Sequence, residues 1–182
     1  MKKTLLSAAL IAAVATIGFV PTANAADGTI TFSGKVLSST CTVSNASSGV
    51  VAVTLPDVAA TAFTGAGSTT GAKSFSLTLT GCPTTPSGVQ VGAAFGGTSI
   101  DSAHAGTILN STGATFSNVN VQMTDSAGTA INLSTNSNPV STTIDSSGAA
   151  TLAYQARYYQ PTAAAVTAGL VTASVTYTLT YN

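Results

Sequence analysis

The sequence predicts an all-β domain built as a sandwich, and three observations support this prediction. Thr, Ser, Ala, Gly and Val dominate the 182 residues, and only 5% of the chain is charged. This composition favours strands and turns over helices. Alternating stretches recur at short intervals with turn residues between them, as they do in β-sandwiches. The most regular stretch closes the sequence, from Val171 to Tyr181.

Strand-like stretches alternate with turn signals along the chain. The predicted strands are Ile30–Val43, Val50–Leu55, Ser74–Thr80, Val89–Phe95, Val119–Thr124, Thr129–Leu133, Ala150–Tyr159 and Val171–Tyr181. Asp125–Gly128 and Asp145–Gly148 predict tight turns, because Asp binds turn amides and Gly accepts a positive φ. Ala60–Ala72 and Pro83–Gly88 are predicted loops. One domain is expected at this length.

Alternation within the strands predicts which side chains form the core. The predicted inward positions are Phe75, Leu77 and Leu79, then Val89, Val91, Ala93 and Phe95, then Val119, Val121 and Met123. Residues of one parity share one face of a strand. Together with the many Val, Leu and Ile residues, these side chains can fill a single sandwich.

The first residues predict a secretory signal peptide. Two lysines precede an apolar run from Leu5 to Val20, and the small-residue pattern Ala23-Asn24-Ala25 follows. This order of basic, apolar and small residues is typical of a cleaved export signal. A retained membrane anchor is the weaker alternative, because a run of about sixteen residues is short for a bilayer span. We therefore expect residues 1–25 to be removed and no stable membrane insertion.

The two cysteines predict a structural disulfide. Cys41 and Cys82 are the only cysteines of the chain, and they follow an export signal, which places them in an oxidising compartment. Closing a loop of roughly forty residues stabilises by about 4 kcal/mol in the chain-entropy model. Two thiols and a distant histidine do not make a metal site, and a redox role favours a close Cys-x-x-Cys pair.

Charge and motif content argue against nucleic-acid binding and catalysis. The chain beyond residue 25 has three cationic residues against five aspartates, too few cations to bind a phosphate backbone. His104 follows Asp101 by three residues, but Asp-x-x-His in a Ser- and Gly-rich stretch is more simply a turn than part of a triad. Arg157 is interpreted as a surface residue or as one half of an ion pair with an aspartate. No enzymatic activity and no cofactor are expected.

The final strand is expected to have an unpaired edge. It carries apolar or aromatic residues on one parity: Val171, Ala173, Val175, Tyr177, Leu179 and Tyr181. Because the strand runs to the last residue, we expect no following segment to pair with it. A long alternating edge is a template for a strand from another chain.

The segment after the predicted cleavage site has two interpretations. Gly28, Ile30 and Phe32 share one parity, which fits an ordinary first strand of the same domain. Alternatively, residues 26–34, about 30 Å long if extended, leave the domain and supply a strand that another molecule lacks. The pattern alone does not decide between them.

Several stretches together resemble the major structural pilins of bacterial chaperone-usher fimbriae. Gly28–Val36 leading to Cys41 resembles the N-terminal extension and first strand of these pilins, and the two cysteines have their disulfide spacing. The loop Gly96–Asp101 followed by His104 is similar to one in type 1 rod subunits, and Gln155–Tyr158 to a penultimate-strand motif. Gly169, fourteen residues from the end, and the penultimate residue Tyr181 match best.

The resemblance implies an incomplete immunoglobulin-like sandwich that lacks its last strand and is completed by a donor strand from another subunit. It divides the chain into a signal peptide (1–25), a donor-strand extension (26–34) and a pilin domain (35–182). Gly28, Ile30 and Phe32 would enter the groove of the next subunit. Gly169 and the odd-numbered residues of Val171–Tyr181 would form one wall of the groove and contact a chaperone.

The implied function is that of a structural subunit of a surface fimbria that supports cell adhesion. The implied partners are identical subunits in a homopolymer, a periplasmic chaperone and an outer-membrane usher, and export proceeds through the periplasm to the cell surface. The alternative within the same system is a minor adaptor or tip pilin.

Overall fold

The computed structural model describes residues 30–112 and 118–182, which form antiparallel strands and a short 3-10 helix at Ala60–Ala62. The strands of these residues are β1 (Thr42–Val43), β2 (Thr69–Thr80), β3 (Gln90–Gly96), β4 (Ile100–Asp101), β5 (Thr107–Ile108), β6 (Asn120–Asp125), β7 (Ser141–Thr143), β8 (Ala150–Tyr159) and β9 (Thr176–Tyr181). The predicted signal peptide and residues 26–29 lie outside the described residues. In the two described ranges, no helix has the length and apolar character to cross a membrane.

The strands form two sheets within the unit Val36–Asn182. A six-stranded sheet has the order β1-β2-β8-β6-β5-β4, and a three-stranded sheet has the order β7-β3-β9. Each sheet contains a strand pair that joins segments far apart in sequence: β2 with β8 in the larger sheet and β3 with β9 in the smaller one. The all-β sandwich predicted from the sequence is confirmed.

The core lies between the two sheets and follows the predicted alternation. Leu77 and Leu79 from β2 and Val91 from β3 are at most 2% exposed, and they belong to one apolar cluster. The Tyr154 ring of β8 stacks on Phe75 and meets Phe95 edge to face, both with centroids 5.5 Å apart. Aromatic contacts of this kind join the six-stranded sheet to the three-stranded sheet.

Both predicted Asp-to-Gly turns are present and have the same hydrogen-bond pattern. The Asp125 carboxylate accepts hydrogen bonds from the backbone of Ala127 and Thr129 at 2.9 and 2.8 Å. The Asp145 carboxylate accepts from the backbone of Ser147 and Ala149 at 2.8 and 2.9 Å. The glycine at the fourth position of each turn has a positive φ, a conformation that glycine adopts without strain.

Three predicted strands are largely absent as strands. Only Thr42–Val43 of the predicted strand Ile30–Val43 forms a ladder. Val50–Leu55 keeps its inward residues against the core but pairs with no strand in the described residues, and Thr129–Leu133 makes only isolated bridges. Alternation marks a segment that can be a strand. A ladder also needs a neighbouring edge, and the pattern does not show whether that edge exists.

Strand boundaries and short strands were also missed. β2 begins at Thr69, inside the predicted loop Ala60–Ala72, and continues through an irregularity between Thr70 and Lys73. Gly71 has φ +66° there, and a Cβ on it would lie 2.8 Å from the Tyr158 ring. The strands β4, β5 and β7 were not predicted, because two or three residues are too few to show alternation.

Candidate functional site

An open apolar groove of about 1250 Å³ runs along the unit Val36–Asn182, between two segments that form no ladder with each other. One wall comprises Gly49–Leu55 with Asp57 and Val58. The other wall comprises residues of the range 166–177. A large exposed apolar surface of this kind is typical of a binding site for another protein or a ligand.

The floor of the groove is the inner face of the sandwich, left uncovered between the walls. It is made of Phe75, Leu77, Phe95, Ile108, Val119, Val121, Met123, Ala156 and Tyr158. The predicted inward position Phe75 is only partly buried, because its ring reaches this floor. Burial raises the pKa of Tyr158, and the nearby Asp57 carboxylate raises it further. The Tyr158 side chain is therefore a neutral part of the floor.

The strand edge on the C-terminal side of the groove pairs with no other strand of the described residues. β9 is the edge strand of the three-stranded sheet. Asn182 and Gln90 exchange two backbone hydrogen bonds of 3.0 Å, so the even-numbered residues of β9 bond with β3. In an antiparallel ladder the residues between them point their N–H and C=O groups to the opposite side. The odd-numbered residues of β9 therefore direct these groups away from β3, and Tyr177 among them lines the groove.

The predicted wall residues fall into two groups. Gly169, Val171, Ala173, Val175 and Tyr177 line the groove. Leu179 and Tyr181 lie beyond the groove lining and pack against the core instead. The ladder with β3 covers only Thr176–Tyr181. The first half of the predicted strand is therefore a wall that forms no ladder with another strand of residues 30–112 and 118–182.

Three polar residues hold this unladdered wall in place. The Asn110 carboxamide accepts a 3.0 Å bond from Thr172 N–H and donates a 3.3 Å bond to Leu170 C=O. Ser111 N–H donates to Thr172 C=O at 2.7 Å, and the Thr112 hydroxyl donates to Leu170 C=O at 2.7 Å. No local sequence pattern predicts these contacts, because they join residues about sixty positions apart.

The predicted disulfide is present and lies next to the terminal strand. Cys41 and Cys82 are bonded with a Cα separation of 4.1 Å. The backbone N–H of Cys41 donates a 2.7 Å hydrogen bond to the hydroxyl of Tyr181. The bridge closes a loop of 41 residues that contains the wall Gly49–Val58. The disulfide and the hydrogen bond between Cys41 and Tyr181 therefore link the loop that carries this wall to the terminal strand.

The predicted donor residues are exposed where they are described. Ile30 is 79% exposed and Phe32 is 89% exposed, while Gly28 lies outside the described residues. Full exposure of two large apolar side chains of one parity costs roughly 1.5–3 kcal/mol each relative to burial.

The residues that were considered as catalytic or ligand-binding candidates, Asp101, His104 and Arg157, make contacts within the fold. His104 Nδ1 lies 2.7 Å from Asp101 Oδ2, and the backbone of this segment closes a turn between β4 and β5. Burial raises the pKa of Asp101, but hydrogen bonds with His104 and Asn120 outweigh it and hold the pKa below 3.8. Arg157 Nε donates to Gln122 Oε1 at 2.9 Å rather than to an aspartate. Within residues 30–112 and 118–182, no three potential metal ligands come together.

The sequence is similar to one known protein family and to several of its members. The model of the family described as "Fimbrial protein" matches residues 30–182. The major fimbrial subunit SMF-1 of Stenotrophomonas maltophilia is 38% identical over 88% of this chain and 95% of its own length. The type-1 fimbrial protein A chain of Escherichia coli K12 is 32% identical over 97% of this chain and 94% of its own length.

Solved structures agree with this assignment. A type I fimbria protein from Burkholderia pseudomallei is 32% identical, with a TM-score of 0.54 over 72% of this chain and 82% of its own. The P pilus rod subunit PapA gives a TM-score of 0.63 over 79% of this chain and 100% of its own. At 20% identity the second likeness supports the fold alone, an immunoglobulin-like pilin sandwich. On its sequence match, its relatives and its fold, this chain belongs to the fimbrial protein family, whose members are structural subunits of surface fimbriae and not enzymes.

Proposed function

We propose that this fimbrial subunit polymerises into a pilus rod by donor-strand exchange, in which residues 26–34 of one copy fill the groove of the next. The observation that carries the proposal is the open apolar groove with an unpaired strand edge along it. An added strand in the groove would cover the apolar floor and bond with the free backbone of the wall.

The length and pattern of the donor segment suit the groove. Nine extended residues span about 30 Å. The wall segment from Val50 to Val58 also contains nine residues. Side chains of one parity face the same way, so Ile30 and Phe32 would both enter the apolar floor. Gly28 shares this parity and would allow close approach of the two backbones.

The expected interaction energy suits a polymer of long life. Burying Ile30 and Phe32 contributes about 1.5–3 kcal/mol each. A donor strand would make about six to eight ladder hydrogen bonds, each contributing roughly 0.5–1.5 kcal/mol. Unfolding such a unit requires the loss of these contacts as a whole, so the fibre persists for kinetic reasons.

An unfilled groove explains why assembly partners are needed. An exposed apolar groove beside a free strand edge promotes unwanted association. A periplasmic chaperone that covers the groove and contacts Val171–Tyr181 removes this hazard, and an outer-membrane usher then replaces the chaperone with the next subunit's donor strand. The route requires cleavage of residues 1–25, transit of the periplasm and delivery to the cell surface.

The relatives favour a rod subunit over the adaptor or tip alternative. SMF-1 is a major fimbrial subunit and the E. coli K12 relative is a type-1 fimbrial A chain, and the similarity covers at least 88% of this chain and 94% of each relative. Support of cell adhesion is then the role of the assembled fibre rather than of a binding site on each copy.

The test removes the donor segment and adds it back. The chain from residue 35 is refolded with and without a synthetic peptide of residues 26–34, and its urea unfolding midpoint is measured. We expect the peptide to bind with a stoichiometry of one and to raise the midpoint in a concentration-dependent way. A truncated chain that is fully stable alone and gains nothing from the peptide would refute donor-strand exchange.

A peptide with Phe32→Asp is the matched control, because it keeps the length and backbone but places a charge at the apolar floor. We expect this peptide to bind at least about tenfold more weakly, in line with the loss of one buried aromatic side chain. Equal binding of the two peptides would argue against Phe32 as a residue that fills the groove.

A further inference from the structure

We propose that the side chains of Asn45, Asn110 and Asn136, here named the edge-capping asparagines, bind backbone groups beyond the ends of ladders of the described strands. By doing so they confine strand addition from a second copy to the groove. The proposal rests on the donor-strand function proposed above. A subunit that must accept a strand at one edge is at risk at its other edges.

Asn136 caps the edge of β3 beyond the end of β7. The ladder between these strands ends at Gly92, opposite Ser141. Further along the same edge, the Asn136 side-chain oxygen accepts a 2.6 Å bond from Phe95 N–H, and its amide nitrogen donates a 3.0 Å bond to Phe95 C=O. A carboxamide carries one acceptor and a pair of donors. Here it takes the place of a backbone residue in an added strand.

Asn45 caps the edge of β2 by binding backbone groups of two residues of this strand. The ladder with β1 ends at Val43, opposite Leu79. The Asn45 oxygen accepts a 3.0 Å bond from Thr78 N–H, and its amide nitrogen donates a 2.8 Å bond to Ser76 C=O. The side chain therefore binds one donor and one acceptor of the strand edge where the neighbouring strand stops.

Asn110 repeats the arrangement on the C-terminal wall. The ladder of β9 with β3 ends at the pair Gly96 and Thr176. Before it, the Asn110 carboxamide bonds to Thr172 N–H and Leu170 C=O, which lie on the same side of the segment as the bonds to β3. The odd-numbered residues on the opposite side keep their backbone groups directed at the groove.

The recurrence of one side-chain type with one kind of bonding points to a common role. Each of the three carboxamides bonds to both a backbone N–H and a backbone C=O of a segment beyond the end of a ladder. Asn136 binds both groups of one residue, whereas Asn45 and Asn110 each bind the C=O of one residue and the N–H of the next residue but one. Bonding to both groups removes the pair that an incoming strand would bind first.

The test uses the full chain from residue 26 with Phe32→Asp, which weakens donation into the groove. Into this parent we place Asn136→Gly, or Asn138→Gly as the matched control. Both asparagines have positive φ, 50° and 57°, so glycine keeps each backbone conformation. The Asn138 side chain bonds only weakly, at 3.4 Å, to the Asp125 carboxylate, and it contacts no strand edge through that bond.

Two measurements read the effect of Asn136→Gly. Sedimentation velocity should show oligomers for this variant at concentrations where the parent and Asn138→Gly stay monomeric. Hydrogen exchange of the Phe95 amide should be about tenfold faster than in Asn138→Gly, as expected for the loss of one hydrogen bond. Unchanged sedimentation or an unchanged Phe95 exchange rate would overturn the proposal.

A second site keeps the test decisive if Asn136→Gly fails to fold. Asn45→Ala should accelerate exchange of the Thr78 amide and also produce oligomers, and an unchanged rate there would count equally against the proposal. If the Phe32→Asp parent polymerises as readily as the unchanged chain, donation of Phe32 into the groove is refuted. The capping proposal is then decided by whether Asn136→Gly and Asn45→Ala raise the oligomer content above that of the parent and of Asn138→Gly.

Discussion

At the residue scale, the Tyr154 hydroxyl is a buried polar group whose removal should stabilise the subunit. The side chain is 1% exposed, its hydroxyl has no hydrogen-bond partner among the described residues, and burial raises its pKa to about 12. A buried polar group without a partner costs roughly 1–3 kcal/mol. Tyr154→Phe keeps the ring contacts with Phe75 and Phe95 and should raise the free energy of unfolding by about 1 kcal/mol, measured by urea denaturation.

Tyr181→Phe is the matched control, because the same loss of a hydroxyl removes a bond that exists. The Tyr181 hydroxyl accepts a 2.7 Å bond from the backbone of Cys41, so this variant should lose about 1 kcal/mol of stability. If both variants are destabilised, the Tyr154 hydroxyl has a partner and the interpretation of this residue is wrong.

Single residues were predictable from the sequence where parity alone decides their position. The odd-numbered residues of Val171–Tyr177 face inward as alternation predicted, and Cys41 and Cys82 are bonded. The contacts of Asn110, Asn136 and Tyr154 were not predictable. Each depends on which distant backbone or ring comes within hydrogen-bond reach, and the residue types in the sequence do not specify it.

At the element scale, the two Asp-to-Gly turns should make stability depend on pH in acid. Hydrogen bonds from the Ser147 side chain and the Ala149 backbone hold the pKa of Asp145 below 3.8, and bonds led by the Thr129 backbone do the same for Asp125. A pKa lowered by folding means that the ionised turn stabilises the folded state above the unfolded pKa. This stabilisation is lost as the pH falls below 3.8 through the folded pKa.

Asp145→Asn tests this dependence, because its amide oxygen can accept the same bonds without titrating. At about pH 7 we expect the variant to be less stable than the parent, since a charged acceptor forms stronger bonds. Towards about pH 2 the two urea midpoints should converge, because the parent's carboxyl is then protonated. A constant difference across this range would contradict the argument. Asp125→Asn should behave alike, and the double variant should show the sum.

Whole strands were predictable where a segment had both a pattern and a partner. β3, β6 and β8 match their predicted ranges within a residue, since each lies between two neighbours in its sheet. Val50–Leu55 has an equally regular pattern but forms no ladder among the described residues. Alternation reports the burial of side chains, and hydrogen bonding depends on the edge opposite. In this subunit, the segment that has no ladder in the described residues coincides with the groove wall.

At the scale of the whole molecule, the groove requires that the sheets differ in size. Six strands form one sheet and three form the other within the described residues, so part of the larger sheet's inner face lies open between the walls. No single segment of the sequence carries this imbalance. Two local patterns, the alternation of the final strand and the shared parity of Ile30 and Phe32, led us to expect a strand from another copy. Ile30 and Phe32 are exposed in the structure.

The disulfide should contribute to the shape of the groove as well as to stability. Its loop of 41 residues holds the wall Gly49–Val58, which lacks a ladder with a neighbouring strand in the described residues. Replacing Cys41 and Cys82 by Ala should cost about 4 kcal/mol in the chain-entropy model. It should also weaken binding of the 26–34 peptide, because the freed wall must be ordered each time a strand enters.

Calorimetric titration of that peptide into the chain from residue 35 measures the second effect, and urea denaturation measures the first. The bridged chain treated with a reductant is the control, and it should match the double Ala variant in both measurements. If stability falls while peptide affinity stays the same, the bridge acts only on the unfolded chain. The wall would then be held by its packing against the core, through Val51, Val53 and Leu55, and the groove would form without help from the covalent loop.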